Sequence, residues 1–296
     1  MPTIDEKRVY TDNTGTETVY LATGLGVVGV SVSDDLIGEF GVVRRCHARD
    51  VATDGPLVAA ATDEDVLLAD RAAIGDEDAP VAKLEFTATG FGPATAVGFD
   101  DGALLAGDED GGVARLDAAA VESVAATDAT SESDATAETT AHESAWTALG
   151  STDGVRAIDG GLVAAADGVY RAGDSGLTHA GLDDAHDVDS EPLVAAASGL
   201  YKLGNGWMDV LPGPVEAVAA AGSRAHAASG GDLYARGDGG DWNATDFPVD
   251  EAVVAVTHGA DASYAVTADG TLGVRLPDDE WRYRVLGVGD VAAATV

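Results

Sequence analysis

One motif returns seven times along this chain, and that repetition constrains the fold more than any other feature. Leu162-Val-Ala-Ala-Ala-Asp-Gly-Val-Tyr-Arg is followed 31 residues later by Leu193-Val-Ala-Ala-Ala-Ser-Gly-Leu-Tyr-Lys, and then by Ala225-His-Ala-Ala-Ser-Gly-Gly-Asp-Leu-Tyr-Ala. Looser copies begin at Thr18, Leu57, Ala103 and Ser263. Spacings of mostly 31 to 46 residues are those of solenoids and propellers, where one supersecondary unit packs on copies of itself. Each copy holds short apolar or alternating runs bounded by turn dipeptides. Asp-Gly occurs eight times, at Asp54, Asp101, Asp110, Asp153, Asp159, Asp167, Asp238 and Asp269, and Asn205-Gly206 adds another. These residues accept the positive φ angles of tight hairpins, so each copy reads as strand, turn, strand. No segment sustains a 3.6-residue apolar period. The expected class is all-β.

Two further features define the architecture. A third strand after each copy opens on a bulky residue: Phe40, Phe86, Trp146, Leu177, Trp207, Trp242 and Trp281. All four Trp of the chain fall at this one position. A fourth strand precedes each copy, as in Val215-Glu-Ala-Val-Ala-Ala and Glu251-Ala-Val-Val-Ala-Val. Four strands in each of seven repeats make a seven-bladed β-propeller with four-stranded antiparallel blades, one domain over residues 1–296. Ala and Gly suit its crowded inner strands, and a bulky outer residue fills the gap that widens between blades.

The ends agree with this. Gly289-Asp-Val-Ala-Ala-Ala-Thr-Val296 resembles the first strand of an eighth copy, whereas the copy at Thr18 has no good strand before it. The C-terminal strand is expected to complete the N-terminal blade and close the ring, because unpaired edge groups would otherwise remain exposed. One stretch breaks the pattern. Residues 118–145 contain no Lys or Arg and almost no bulky apolar side chain, and read as a disordered acidic loop inserted between the third and fourth strands of blade three.

The charge speaks of the solvent. The chain has 52 acidic and 16 basic residues, a net charge of −36, and only three Lys (Lys7, Lys83 and Lys202). At ordinary ionic strength such a charge repels itself and destabilises the compact state. In molar salt the Debye length falls to about 3 Å and the penalty is screened. The composition therefore reads as a cytoplasmic protein of a salt-accumulating, archaeal-type halophile. It argues against nucleic-acid binding, whose affinity comes from Lys and Arg on phosphates. No stretch reaches the roughly 18 uncharged apolar residues of a membrane span, and the first residues lack the apolar core of a secretory signal. The single Cys46 excludes a disulfide framework and a Cys-based zinc site.

Apparent chemical motifs dissolve on inspection. Gly24-Leu-Gly-Val-Val-Gly29 fits a dinucleotide fingerprint, but a strand rather than a helix follows it. Gly173-Asp-Ser-Gly176 aligns with turns in neighbouring repeats, and no His and Asp stand in triad context. Six His are scattered singly, while Asp108-Glu-Asp-Gly and Asp187-Val-Asp-Ser-Glu lack the full calcium-loop pattern. No catalytic residue, metal or cofactor is expected from these.

The one cluster that defies the composition is Arg44-Arg-Cys-His-Ala-Arg-Asp50, with three of thirteen Arg inside six residues. It spans the end of blade one's outer strand and the loop into blade two. Blade seven, the neighbour of blade one after closure, adds Trp281-Arg-Tyr-Arg284, and Lys7, Arg8 and Arg275 lie in the same two blades. Arg44, Arg45, His47, Arg49, Arg282 and Arg284 are thus expected to bind an acidic protein partner near the seam of blades one and seven. The bland alternative is that these Arg pair with nearby carboxylates. Cys46 beside Arg and His is a candidate reactive thiol, against the usual lone buried Cys.

The Leu-Tyr-Lys/Arg segments around Tyr170 and Tyr201, with Trp207 beyond, resemble propellers with YVTN/BNR-like blades. Asp-boxes of the form Ser-x-Asp-x-Gly-x-Thr-Trp are absent, so a sialidase has no support. Over its whole length, including Ile4-Asp-Glu-Lys-Arg-Val-Tyr10 and the Arg44 segment, the chain resembles a haloarchaeal family of seven-bladed β-propellers without assigned activity. That resemblance implies fold and habitat, and carries over no functional residue. Two functions follow as expectations. The first is a non-catalytic protein–protein interaction platform docking through the funnel face. The second is a small-ligand binder or lactonase-like hydrolase using the central funnel, which requires residues such as Asp50, Asp159, Asp189 and His258 to converge on the axis.

Overall fold

The computed structural model describes residues 15–74, 84–126, 145–277 and 279–296. They form seven four-stranded antiparallel sheets arranged as the blades of a propeller. In blades two to seven the four strands run outward in chain order, from Ala48–Asp54 at the centre of blade two to Arg282–Val285 at the rim of blade seven. Hairpins join them where the turn dipeptides stand. Asp101 (φ 50°) and Gly102 (φ 78°) both take left-handed backbone, so Asp100 and Ala103 pair directly across a two-residue turn. Gly24-Leu25 and Asp174-Ser175 are likewise hairpin turns rather than cofactor or nucleophile loops.

Blade one is closed as the split ends require. Its inner strand is the C-terminal Ala293–Thr295, antiparallel to Thr16–Thr23, with Tyr20 opposite Thr295 and Ala22 opposite Ala293. Thr295 Oγ1 lies 2.7 Å from Thr53 Oγ1, and Thr53 donates to the Val296 carbonyl at 2.7 Å, so the last residues also tie to blade two. On the other side Glu17 accepts the buried Tyr264 hydroxyl of blade seven at 2.7 Å and the Ala260 N–H at 2.5 Å.

The core lies in the gaps between blades, each holding its own apolar cluster. Each cluster receives one of the seven bulky residues: Phe40, Phe86, Trp146, Leu177, Trp207, Trp242 and Trp281, from the outer strand or the residue just before it. A flat sheet twisted about a ring leaves a wedge that opens outward, and the largest side chains fill its wide end. Near the axis there is no room. A Cβ on Gly98 would stand 2.2 Å from the Ile158 carbonyl oxygen of the next blade.

Part of the stretch read as a disordered loop is ordered. Ala118–Ala125 is an α-helix after the third strand of blade three (Gly112–Leu116). Its Ala-rich sequence has high helix propensity, and Val121 and Val124, one turn apart, are buried in the cluster with Leu68, Leu104 and Leu116. Charge composition alone hid this short amphipathic turn. Residues 127–144 lie outside the described residues.

Candidate functional site

Seven inner strands line a central channel with a cavity of about 270 Å³. Where an outer strand hands over to the next inner strand, the channel opens on what we term the entry face. In blades two and five the inner strand carries a bulge at its second residue, Arg49 or His186, followed by Asp50 or Asp187. Asp50 accepts its neighbour's N–H, from Val51 at 2.8 Å, and that of Val97 in the next blade at 2.9 Å. Asp187 repeats the arrangement with Val188 at 2.9 Å and Val218 at 2.8 Å. Further along, Asp189 accepts from Glu191 and from Ala220 of blade six, both at 2.8 Å. Asp159 accepts from Ser190 of blade five at 2.7 Å. Each carboxylate therefore staples its inner strand to the next.

This arrangement raises the carboxyl pKa values. Burial dominates in every case, and the other channel aspartates add repulsion around Asp50, Asp187 and Asp189. Asp50 is pushed up to about 8, Asp187 to about 7 and Asp189 to about 6, while Asp159 also rises. Chemically the set binds strands. Its acceptor oxygens already hold backbone N–H groups, and at Asp159 the Ser190 hydroxyl adds a further hydrogen bond.

A pH dependence follows. A carboxyl whose pKa is 3.8 when unfolded and higher when folded stabilises the fold fully below the lower value. That contribution is lost as pH rises to the folded value, by up to about 1.4 kcal/mol per pH unit for each group. Buried His226 and His258, held down near 3 and 4, act oppositely, but only below their unfolded value of 6.5. Between about pH 7 and 8, Asp50 is thus the main group of this set still titrating. Stability measured by denaturant titration in about 2 M KCl should fall across that window in the wild type. Asp50→Asn should be less stable, having lost one N–H acceptor, yet clearly shallower across the window, its remaining slope coming from Asp187. Parallel slopes would reject the assignment.

Of the residues expected to converge on the axis, Asp50, Asp159 and Asp189 line the channel. His258 does not. It stands one residue beyond Thr257, on the opposite side of its strand, where it meets His226 in the gap between blades six and seven. Asp187 belongs to the channel and was legible only as part of an acidic run.

The basic cluster divides. Arg44, Arg45 and His47 are exposed on the entry face, and Arg49 lines the channel mouth with Nη1 3.9 Å from Glu109. Arg282 and Arg284 do not join them. Arg282 pairs with Asp35 at 2.5 Å, while Arg284 donates to the carbonyls of Ile37 (3.1 Å) and Gly38 and lies over the Phe40 ring at 5.0 Å. Asp35 to Phe40 flank the beginning of the outer strand Leu36–Arg44, whose other end carries Arg44. Nine residues at about 3.3 Å each separate the two ends by most of the disk's thickness. Arg282 and Arg284 both fasten blade seven to blade one, Arg282 through a carboxylate as the bland reading has it and Arg284 through backbone carbonyls. Lys7 and Arg8 lie outside the described residues. Cys46 is half-buried, and burial pushes its thiol pKa up, against an activated thiolate.

The family comparison agrees with this architecture. Residues 3–296 match the family described as HVO_0234-like, beta propeller. The chain belongs to this family. No curated protein matches it. Among solved structures, it is similar to the WD40 beta propeller domain of Doa1, with TM-score 0.59 and 14% identity over 94% of this chain and 90% of that one. It is also similar to virginiamycin B lyase from Staphylococcus aureus, with TM-score 0.56 and 9% identity over 82% and 85%. A computationally designed protein, Ika8, gives TM-score 0.53 and 14% identity over 95% and 91%. Identities this low speak to the fold alone. No helix among the described residues is long and apolar enough to cross a membrane.

Proposed function

We propose that this propeller is a non-catalytic interaction platform in a halophilic cytoplasm, docking an acidic segment of a protein partner on its entry face. The observation that carries the reading is a pair of unsatisfied cations. Arg44 and Arg45 are exposed and form no ion pair among the described residues, although the chain has 52 acidic residues to offer. His47 and Arg49 stand beside them, the latter at the channel mouth. Exposed guanidiniums on a body of net charge −36 form a local minimum of repulsion where an anionic surface can approach. Hydrolysis in the channel is the weaker reading, because its carboxylates are engaged in stapling inner strands.

The test is affinity capture with tagged protein in about 2 M KCl, from the halophile that makes it, with mass spectrometry. Wild type should return a stoichiometric protein partner, and Arg44→Glu/Arg45→Glu should lose it. Arg282→Glu, on the far face, should retain it if it still folds. Wild type and Arg44→Glu/Arg45→Glu returning the same proteins would reject the docking face.

A further inference from the structure

On the opposite, exit face, blades six and seven enclose a separate cavity of about 280 Å³. Strand polarity gathers its cations. Arg224 begins the second strand of blade six (Arg224–Ser229), Arg236 ends its third (Asp232–Arg236), and Arg275 ends the third strand of blade seven (Thr271–Arg275). Second strands start and third strands end on this face, so three guanidiniums from three strands meet at one wall. Asp238 is the only carboxylate among the described lining residues.

Two of these cations lack a counter-charge among the described residues. Arg224 is held rigidly by the carbonyls of Ala262 (2.6 Å), Gly259 (2.6 Å) and Ala260 (2.8 Å), and forms no ion pair among the described residues. Among the described residues Arg275 donates only through Nε, to the Asp279 carbonyl at 2.9 Å, and its terminal nitrogens have no partner there. Arg236 differs, being 3.6 Å from Glu191.

Beneath them lies an orphan donor. His226 lines the cavity and is 6% exposed, yet its Nε2 has no hydrogen-bond partner. Its tautomer follows from its neighbours. His258 Nε2 faces the Ala219 carbonyl at 3.2 Å, which can only accept, so that nitrogen carries a proton. His258 Nδ1 then accepts from the Ser263 hydroxyl at 3.0 Å, and His226 Nδ1, 3.5 Å from a protonated nitrogen, acts as acceptor. The neutral His226 ring must therefore hold its proton on Nε2. Burial keeps it neutral, helped by His258, Arg275 and Arg224.

We propose that this cavity binds inorganic phosphate, as HPO₄²⁻, between the guanidiniums of Arg224 and Arg275. Three guanidiniums, set against Asp238 and the Glu191 beside Arg236, leave the wall a net positive charge that attracts an oxyanion. Planar guanidinium forks match tetrahedral oxyanions, and a locked Arg224 spends little entropy on binding. Asp238 supplies the selectivity. It repels an oxyanion without a proton, such as sulfate, and can accept the P–OH of monohydrogen phosphate.

Calorimetric titration with inorganic phosphate in about 2 M KCl tests this. Expected is saturable binding at one site per chain, with Arg275→Gln at least about tenfold weaker and the variant Arg171→Gln, at an exposed Arg of blade four, unchanged. Sulfate should bind wild type more weakly than phosphate and gain on it in Asp238→Asn. No saturation up to about 50 mM, well above a millimolar Kd, would overturn the proposal, as would equal binding by Arg275→Gln or by sulfate to wild type. If Arg275→Gln fails to fold, the His226 ring resonance of the wild type decides. It should move on phosphate addition, and a stationary signal rejects the site.

Discussion

Removing residues 291–296 should abolish the cooperative unfolding transition altogether. The deleted segment contains the inner strand of blade one, opposite Tyr20, Leu21 and Ala22, three residues whose burial is nearly complete. Without it the N-terminal strand Thr16–Thr23 becomes a free edge at the centre of the ring, its N–H and C=O groups turned to the channel. Val291, Ala294 and Val296 leave the apolar cluster between blades seven and one, and Thr53 of blade two loses both of its partners. In an open arc Glu17, the Arg282 and Arg284 contacts and the remainder of the apolar cluster, Val19, Val28 and Val30 against Tyr264, Val266 and Leu286, would still hold those two blades together at the seam. A domain has about 5–15 kcal/mol of net stability, and losing an inner strand with its packing consumes a comparable amount. Circular dichroism melts and limited proteolysis in about 2 M KCl measure it. Thr295→Val, which removes only one hydroxyl contact, should cost about 1 kcal/mol and keep the transition sharp. A truncated protein melting with the wild-type midpoint would mean that the seam contacts alone hold the ring.

What the chain disclosed beforehand, and what it withheld, divides along a physical line. The seven bulky residues were legible because each answers to the same local demand, a wedge opening between twisted sheets, and so recurs at one position per repeat. The closing strand was legible because a missing first strand and a surplus last one are two halves of one unit. Asp50, Asp159 and Asp189 could be placed on the inner strands for the same reason. Misreading began where a conclusion needed strand direction. Arg44 and Arg282 are in adjacent blades, but one ends an outer strand and the other begins one, and this sends them to opposite faces. The His226–His258 pair shows the converse. No two His among the described residues share a strand, yet the second strand of blade six packs against the inner strand of blade seven and brings these two together. Searching for partners between the second strand of one blade and the inner strand of the next, rather than two residues apart on one strand, would have found them. The helix Ala118–Ala125 escaped because acidity was weighed over the Val121–Val124 spacing that seats it.

Trp207→Ala should cost about 3–5 kcal/mol, the second largest effect expected here. Trp207 opens the outer strand of blade five (Trp207–Pro212) and packs on the cluster of Leu162, Val169 and Val188 at the wide end of the wedge toward blade four. Its indole N–H also donates to the Ala180 carbonyl of blade four at 2.8 Å, so one side chain supplies both packing and an inter-blade hydrogen bond. Trp281 occupies the equivalent place between blades six and seven, against Phe247 at 5.4 Å between ring centroids, but its indole N–H has no partner. The two positions therefore separate the two contributions. Trp207→Phe keeps most of the apolar contact and leaves the Ala180 carbonyl without its donor, a loss of about 1–2 kcal/mol. Trp281→Phe removes a buried N–H that was never satisfied, and should be close to neutral because the penalty of burying that group disappears with it. Met208, the next residue after Trp207, is 50% exposed, so Met208→Ala controls for general effects on that strand and should change stability by less than about 0.5 kcal/mol. Chemical denaturation of all four variants in the same high-salt buffer gives the comparison. Equal losses for Trp207→Phe and Trp281→Phe would show that ring volume alone holds the blades apart, and that the indole hydrogen bond to Ala180 contributes nothing to their register.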